Sequence, residues 1–390
     1  MKNKRYWDKL VPWIICVVLA FLLYNLVRND REAYAERIAQ YQLQASQSVE
    51  SDTEMKERLT DIYDQFYAQV DVRNIICWGD SAMAGNSQYS LPSSLKKVVE
   101  ENLFASLKKA FNRVFEDGEF STPSVTVNNM GVTNEGMRQI FVRAGVNSIE
   151  LGEAIDIPAG KENVTVRLMD QEAWDNLSDK NPEEQLKFAN QKNVSFGKVY
   201  INGVRGSLVA ADDWFDSGHP RYAFVRKDEG DPVRANARTE VEIETATKYL
   251  GDIPVFFFED ASGKSIDTFV DQIEQLVNRY AYLEKEDNVD SDLENTDSEA
   301  ASSSVESSDN SAYDLPFVVI CTTEEDTDLD KAMEKRFKDH YIRNDNYSNE
   351  MTDRTYKKLA KQVYDSLNSQ GCFADVQAQI TTAIQEAEGL

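Results

Sequence analysis

The sequence is short of positive charge. It has 42 Lys and Arg against 68 Asp and Glu, which gives a formal net charge of −26 at pH 7. Because a protein that binds a nucleic acid backbone needs a basic surface to displace counterions, we expect no nucleic acid partner. Disorder of the whole chain is also excluded, since 41% of the residues are hydrophobic and 10% are aromatic.

Histidine and cysteine are scarce as well, with two His and four Cys in the chain. No metal-ligand spacing, phosphate-binding glycine loop or nucleotide fingerprint is present, so we predict no metal and no cofactor. Cys77, Cys321 and Cys372 are the thiols outside the first apolar run, and Cys77 and Cys321 lie in strand-like runs. We expect buried thiols and no disulfide framework.

An apolar run near the N-terminus predicts a membrane anchor. The first nine residues carry four basic residues and one acid, and residues 10–27 are apolar apart from Pro12 and Asn25. Eighteen helical residues reach about 27 Å, enough for a hydrocarbon core. Basic residues before the run favour a cytoplasmic tail at 1–9 with the bulk of the chain outside. A cleaved signal peptide is the alternative, but the run lacks a small-x-small cleavage site, which favours an uncleaved signal anchor.

The rest of the chain divides by composition. Residues 28–70 are polar and helix-favouring, as in a stalk. Residues 71–149 and 250–390 alternate apolar strands with amphipathic helices, which predicts an α/β core with a parallel sheet covered on both faces. Residues 150–249 have short alternating runs typical of a β-rich insertion.

The spacing predicts individual elements of this core. We predict strands at 74–78, 124–128, 253–258, 315–321 and 340–342, and helices at 94–115, 135–144, 266–282, 329–337 and 355–367. Residues 284–314 interrupt the second part with eleven acids and one Lys, and we expect a disordered loop there. The acids lack EF-hand spacing, which argues against a calcium site.

The sharpest chemical signal is Gly79-Asp80-Ser81 directly after the first core strand. A serine on a strand-to-helix turn presents its hydroxyl at the edge of the sheet where ligands bind, and its own N–H can help to hold an oxyanion. The structural alternative is an ordinary turn serine at Ser81 and a helix N-cap at Asp80.

These residues resemble the first motif of the SGNH, or GDSL, hydrolase superfamily, and Asn129-Met130-Gly131 resembles its second. The resemblance covers about 71–147 and 250–370, and the insertion is similar to that of membrane-anchored Gram-positive members. It implies a flavodoxin-like parallel sheet sandwiched by helices. It also implies that Ser81 is the nucleophile and that the N–H of Gly131 contacts the oxyanion.

The third and fourth family motifs are altered. Alignment places Glu259 and Ala261 at the family Gly and Asn, and Tyr347 and Glu350 at the family Asp and His. Loss of one oxyanion donor typically costs about 10² to 10³ in rate. Glu350 is a doubtful base, because an unperturbed Glu has a pKa of about 4.3.

Two histidines are left as substitutes for the family base. His340 is predicted at the end of the sheet away from Ser81, and His219 lies in the insertion. A surface position is the more ordinary interpretation of both.

The sequence therefore predicts a single-pass extracytoplasmic protein with an SGNH-like domain that binds a glycan or a protein at the cell envelope and hydrolyses little. The alternative is an active serine esterase or acyltransferase with a non-standard base. The resemblance implies that its substrates would be O-acyl groups of envelope glycans. A third possibility is acyl transfer in an envelope complex, with a membrane acyltransferase as the partner.

Overall fold

The structure is a computed structural model that describes residues 19, 37–40, 54, 56–58, 60–86, 88–114, 121–188, 194, 196–211, 221–259, 263–286 and 315–388. Apart from residue 19, the predicted anchor lies outside these residues, as does the predicted acidic loop beyond residue 286. Within the described residues, no helix is long and apolar enough to cross a membrane.

Fourteen strands are described. They are β1 (Ile75–Gly79), β2 (Val127–Asn129), β3 (Glu150–Leu151), β4 (Ile155–Ile157), β5 (Val164–Val166), β6 (Leu168–Met169), β7 (Val199–Ile201), β8 (Val204–Ala210), β9 (Tyr222–Arg226), β10 (Val233–Ala235), β11 (Val241–Ile243), β12 (Ile253–Phe258), β13 (Val318–Thr322) and β14 (Tyr341–Asn344).

Ten named helices accompany them. They are α1 (Ser81–Ala84), α2 (Leu91–Leu103), α3 (Ala105–Val114), α4 (Met137–Arg143), α5 (Gln171–Asn176), α6 (Thr245–Lys248), α7 (Ile266–Glu286), α8 (Asp328–Phe337), α9 (Asp353–Ser369) and α10 (Ala374–Glu388), with short 3-10 turns at Lys338–His340 and Ser348–Glu350.

Five of the strands form a parallel sheet in the order β14-β13-β12-β1-β2. Every residue of β1, β12 and β13 is buried, which requires cover on both faces of the sheet. Helices α4, α7 and α8 pack on one face, and α2 and α9 pack against each other and against strands of the same sheet. The prediction of a mixed α/β core with a parallel sheet flanked by helices is confirmed.

Nine strands, β3 to β11, lie between β2 and β12 in the chain, and none of them joins the parallel sheet. Five form an antiparallel sheet in the order β11-β7-β8-β9-β5. Their buried side chains make a second core, in which the rings of Phe188, Phe196 and Tyr222 meet edge to face. The alternating runs of this segment thus form a hydrophobic core of their own.

A separate helical unit comprises the described parts of residues 1–69, 107–120 and 380–390. Within it, Arg58 donates a hydrogen bond to Glu386 O at 3.0 Å, and the rings of Tyr63 and Phe111 lie 5.5 Å apart. The helix predicted at 94–115 is interrupted at Phe104, and α10 has no counterpart among the predicted elements.

Cys77, Cys321 and Cys372 are thiols, and Cys77 and Cys321 are fully buried in β1 and β13. The prediction of buried thiols is confirmed for these two.

Candidate functional site

The turn after β1 places Ser81 at the carboxyl edge of the parallel sheet. β1 ends at Gly79 and α1 begins at Ser81, so a single residue separates strand from helix. A Cβ at Gly79 would lie 2.0 Å from Phe257 O, so only glycine permits this close approach of β1 to β12. The position matches the ligand-binding edge of an open parallel sheet.

Asp80 holds this turn in place. One carboxylate oxygen accepts a hydrogen bond from Ala82 N–H at 2.9 Å, which caps α1. The other accepts from Glu259 N–H at 2.9 Å, which joins the turn to the end of β12. The N-cap interpretation of Asp80 therefore matches the structure, and both carboxylate oxygens are used in structural bonds.

Gly131 packs against the same turn. A Cβ on Gly131 would lie 2.4 Å from Ala84 N, so the loop after β2 and helix α1 touch through backbone. The N–H of Gly131 donates to Asn129 Oδ1 at 2.9 Å. A substrate oxyanion would have to displace the Asn129 side chain before it reached this donor.

The Ser81 hydroxyl is itself a hydrogen-bond acceptor. Asn134 N–H donates to Ser81 Oγ at 2.9 Å, from a backbone with φ of 62° in the left-handed region. In the part of the chain that the structure describes, no side chain accepts the proton of this hydroxyl. Ser81 Oγ therefore accepts a backbone hydrogen bond and is not hydrogen-bonded to any base among the described residues.

Two carboxylates, those of Asp80 and Glu259, lie at the carboxyl edge of the parallel sheet. A Glu259 carboxylate oxygen accepts a hydrogen bond from Ser348 N–H, and Tyr356 OH donates to Ala82 O at 3.2 Å. Burial, together with the nearby charges of Glu259 and Asp80, raises the pKa of Tyr356 to about 12. The Tyr356 phenol is thus a neutral donor at neutral pH, and the Glu259 carboxylate ties the loop after β12 to the one after β14.

Glu350, which the sequence resemblance aligns with a His, lies in the 3-10 turn Ser348–Glu350 and is exposed. Its N–H donates to Tyr347 O at 2.9 Å, and Tyr347 is itself 46% exposed. Among the described residues, no hydrogen bond joins Glu350 to Ser81.

The remaining candidates are distant or undescribed. His340 Nδ1 lies 3.2 Å from Phe317 O, and its ring stacks on the Phe317 ring at 4.1 Å. Since these residues precede β14 and β13, His340 lies at the amino edge, opposite Ser81, as predicted. Ala261 and His219 lie outside the described residues.

A buried ion pair that the sequence reasoning missed supports the loop after β2. Glu135 and Arg143 are both buried and hydrogen-bonded to each other. Arg143 also donates to Met130 O at 2.7 Å and lies over the Trp78 ring at 5.2 Å. Burial raises the pKa of Glu135, and the charge of Arg143 opposes this. Glu135 precedes the N-cap of α4 and Arg143 is the last residue of that helix, a spacing that gives no sequence signal for pairing.

Comparisons of the chain with known protein families, curated proteins and solved structures found no match.

Proposed function

We propose that this chain is a membrane-anchored, SGNH-like protein of the cell envelope that binds a glycan or a protein partner and hydrolyses esters weakly or not at all. The single observation that carries the proposal of weak or absent hydrolysis is the environment of Ser81 Oγ. It accepts a hydrogen bond from Asn134 N–H at 2.9 Å, and it has no hydrogen bond to a side chain of the described residues.

A serine nucleophile needs a base within about 2.6 to 3.2 Å to take its proton. Neither Glu350 nor His340 is bonded to Ser81 in the described residues, and His340 is at the opposite edge of the sheet. The turn that carries Ser81 is held by bonds that contribute to folding, namely those of Asp80 to Ala82 and Glu259.

The oxyanion site is also incomplete. The N–H of Gly131 is bonded to Asn129, and the family Asn position is occupied by Ala261, whose methyl group cannot donate. Glu259 adds a negative charge at an edge where an ester hydrolase would need to stabilise one.

An active esterase or acyltransferase is the second candidate, and one observation favours it. Among the described residues, the backbone N–H of Ser81 donates to no acceptor. Rotation of the Asn129 side chain would free the Gly131 N–H as a second donor. A base would then have to come from a residue outside the described ones, such as His219.

Ester turnover separates the two candidates. The wild type and Ser81→Ala are compared for release of acetate from p-nitrophenyl acetate and from an O-acetylated glycan. We expect equal, near-background rates for both proteins. A wild-type rate well above background that disappears in Ser81→Ala would establish the esterase instead.

A further inference from the structure

A cleft that Ser81 does not line lies between the core helices α4 and α7 and the insertion helix α5. Its volume is about 450 Å³, within the usual range for small-ligand sites. Arg138, Trp174 and Lys264 line it, and Ser81 does not. The cleft is therefore built jointly by the α/β core and the β-rich insertion.

The lining suits a ligand rich in hydroxyl groups. Most of the lining side chains are polar, including the amides of Asn147, Gln272 and Gln275, which both donate and accept hydrogen bonds. Trp174 supplies a large flat surface. Its indole N–H donates to a Glu150 carboxylate oxygen at 2.8 Å, and the Arg238 guanidinium lies 4.2 Å from the ring centre. These contacts fix the indole before any ligand arrives.

The two cationic side chains of the cleft, Arg138 and Lys264, differ in whether a carboxylate neutralises them. Arg138 is neutralised by Asp170 and Glu172, with a distance of 2.9 Å to the Glu172 carboxylate. Lys264 donates to Gln272 Oε1 at 2.6 Å, and no carboxylate of the described residues lies within 4.0 Å of its ammonium. The side chain is half-buried, and this burial lowers the pKa of Lys264.

Lys264 favours a ligand with a single negative charge. A partly desolvated ammonium with donors to spare binds an anionic oxygen more strongly than a neutral one. Ligands with several charges, such as nucleotides, are disfavoured, because three acids, Glu150, Asp170 and Glu172, also line the cleft.

We propose that this cleft binds a sugar unit that carries a carboxylate, with the carboxylate at Lys264 and the ring against Trp174. The inference rests on the proposed binding function, of which it names the ligand class and the site. It does not depend on whether Ser81 reacts.

The test is an isothermal calorimetric titration of the full-length chain in detergent with a trisaccharide of two neutral hexoses and one galacturonic acid unit, which carries a single carboxylate. The neutral trisaccharide maltotriose and an acetylated Asp-containing tripeptide are the comparison ligands. We expect saturable binding of the uronate and much weaker binding of the other two. Loss of the charge-assisted bond in Lys264→Gln should weaken uronate binding about tenfold or more.

Matched variants locate the site. Trp174→Phe should also weaken uronate binding, whereas Lys227→Gln, an exposed Lys elsewhere on the insertion, and Ser81→Ala should leave it unchanged. Circular dichroism melting checks that each variant is folded. The proposal is overturned if the uronate does not bind, if maltotriose or the peptide binds as well as the uronate, or if folded Lys264→Gln and Trp174→Phe bind like the wild type. Such a failure would leave the ester turnover result at Ser81 intact, so the two proposals fail separately.

Discussion

At the scale of single residues, the hydrogen bonds of Asp80 and Ser81 hold the turn after β1 and join it to neighbouring loops. Asp80 uses both carboxylate oxygens to hold the turn, and Ser81 Oγ accepts a backbone N–H. The cap at Asp80 could be predicted from sequence, because a capping bond joins residues two apart. The contact from Asn134 to Ser81 could not, since it spans 53 residues and depends on how two loops meet.

Replacement of Asp80 tests its structural role. Asp80→Ala removes the acceptor for two backbone N–H groups, and we expect the free energy of unfolding to fall by about 1 to 3 kcal/mol. Asp80→Asn keeps one side-chain oxygen as an acceptor, so its free energy of unfolding should fall by less. Guanidinium denaturation measures both, with exposed Glu229→Ala as the control. Unchanged stability in Asp80→Ala would show that these bonds contribute nothing.

At the scale of elements, continuous apolar runs locate the core strands well. The predicted strand at 253–258 matches β12 residue for residue, because a short unbroken apolar run rich in aromatic residues favours a strand buried on both faces. The break at Phe104 between α2 and α3 was missed, since the apolar spacing continues across it. The pairing of Glu135, which precedes α4, with Arg143, its last residue, was also missed, because apolar periodicity does not report ion pairs.

The ion pair between Glu135 and Arg143 predicts a large effect of one substitution. Arg143→Met leaves the Glu135 carboxylate buried without its partner, and such losses typically cost about 3 to 5 kcal/mol. We expect the free energy of unfolding to fall by about that amount, measured by denaturant titration. The double variant Arg143→Met with Glu135→Leu removes both charges and should recover most of the stability. A double variant as unstable as the single one would contradict this.

The contact between α4 and α5 predicts a pH dependence. Burial alone would raise the pKa of Asp170, but hydrogen bonds from Arg138 and from Ala173 N–H outweigh it and lower this pKa below its ordinary value. A carboxyl whose pKa is lowered by folding stabilises the protein above its unfolded pKa of about 3.9, and the contribution disappears as the pH falls through the folded value.

Asp170→Asn keeps a side-chain oxygen for the Ala173 N–H and removes the charge. We expect it to be less stable than the wild type at pH 6, with the difference shrinking as the pH is lowered from about 4 towards 2. Denaturant titrations across this range measure the difference, and exposed Asp228→Asn is the control. A difference that does not change with pH would refute the role of the charge.

At the scale of the whole molecule, the acidic composition predicts that no nucleic acid is bound, but it does not locate a site. The parallel sheet was predictable from the alternation of strands and helices. The cleft lined by Arg138, Trp174 and Lys264 was not, because it depends on how the insertion packs against the core.

The proposed anchor predicts where the protein is found. The full-length chain should stay with the membrane fraction after an alkaline carbonate wash. A variant that starts at residue 29 lacks the apolar run at 10–27 and should be found in the soluble fraction. Immunoblotting of the two fractions measures this. Release of the full-length chain by carbonate would contradict an anchor, and a shortened mature chain in the wild type would indicate signal cleavage.

Labelling by a fluorophosphonate tests whether Ser81 lacks a working base, because this reagent modifies serines that a base has activated. Intact mass spectrometry compares the wild type, Ser81→Ala and an active serine esterase as the positive control. We predict that the wild type gains no adduct under conditions that label the esterase fully. A stoichiometric adduct on the wild type that is absent from Ser81→Ala would show that Ser81 has a working base and would contradict the account.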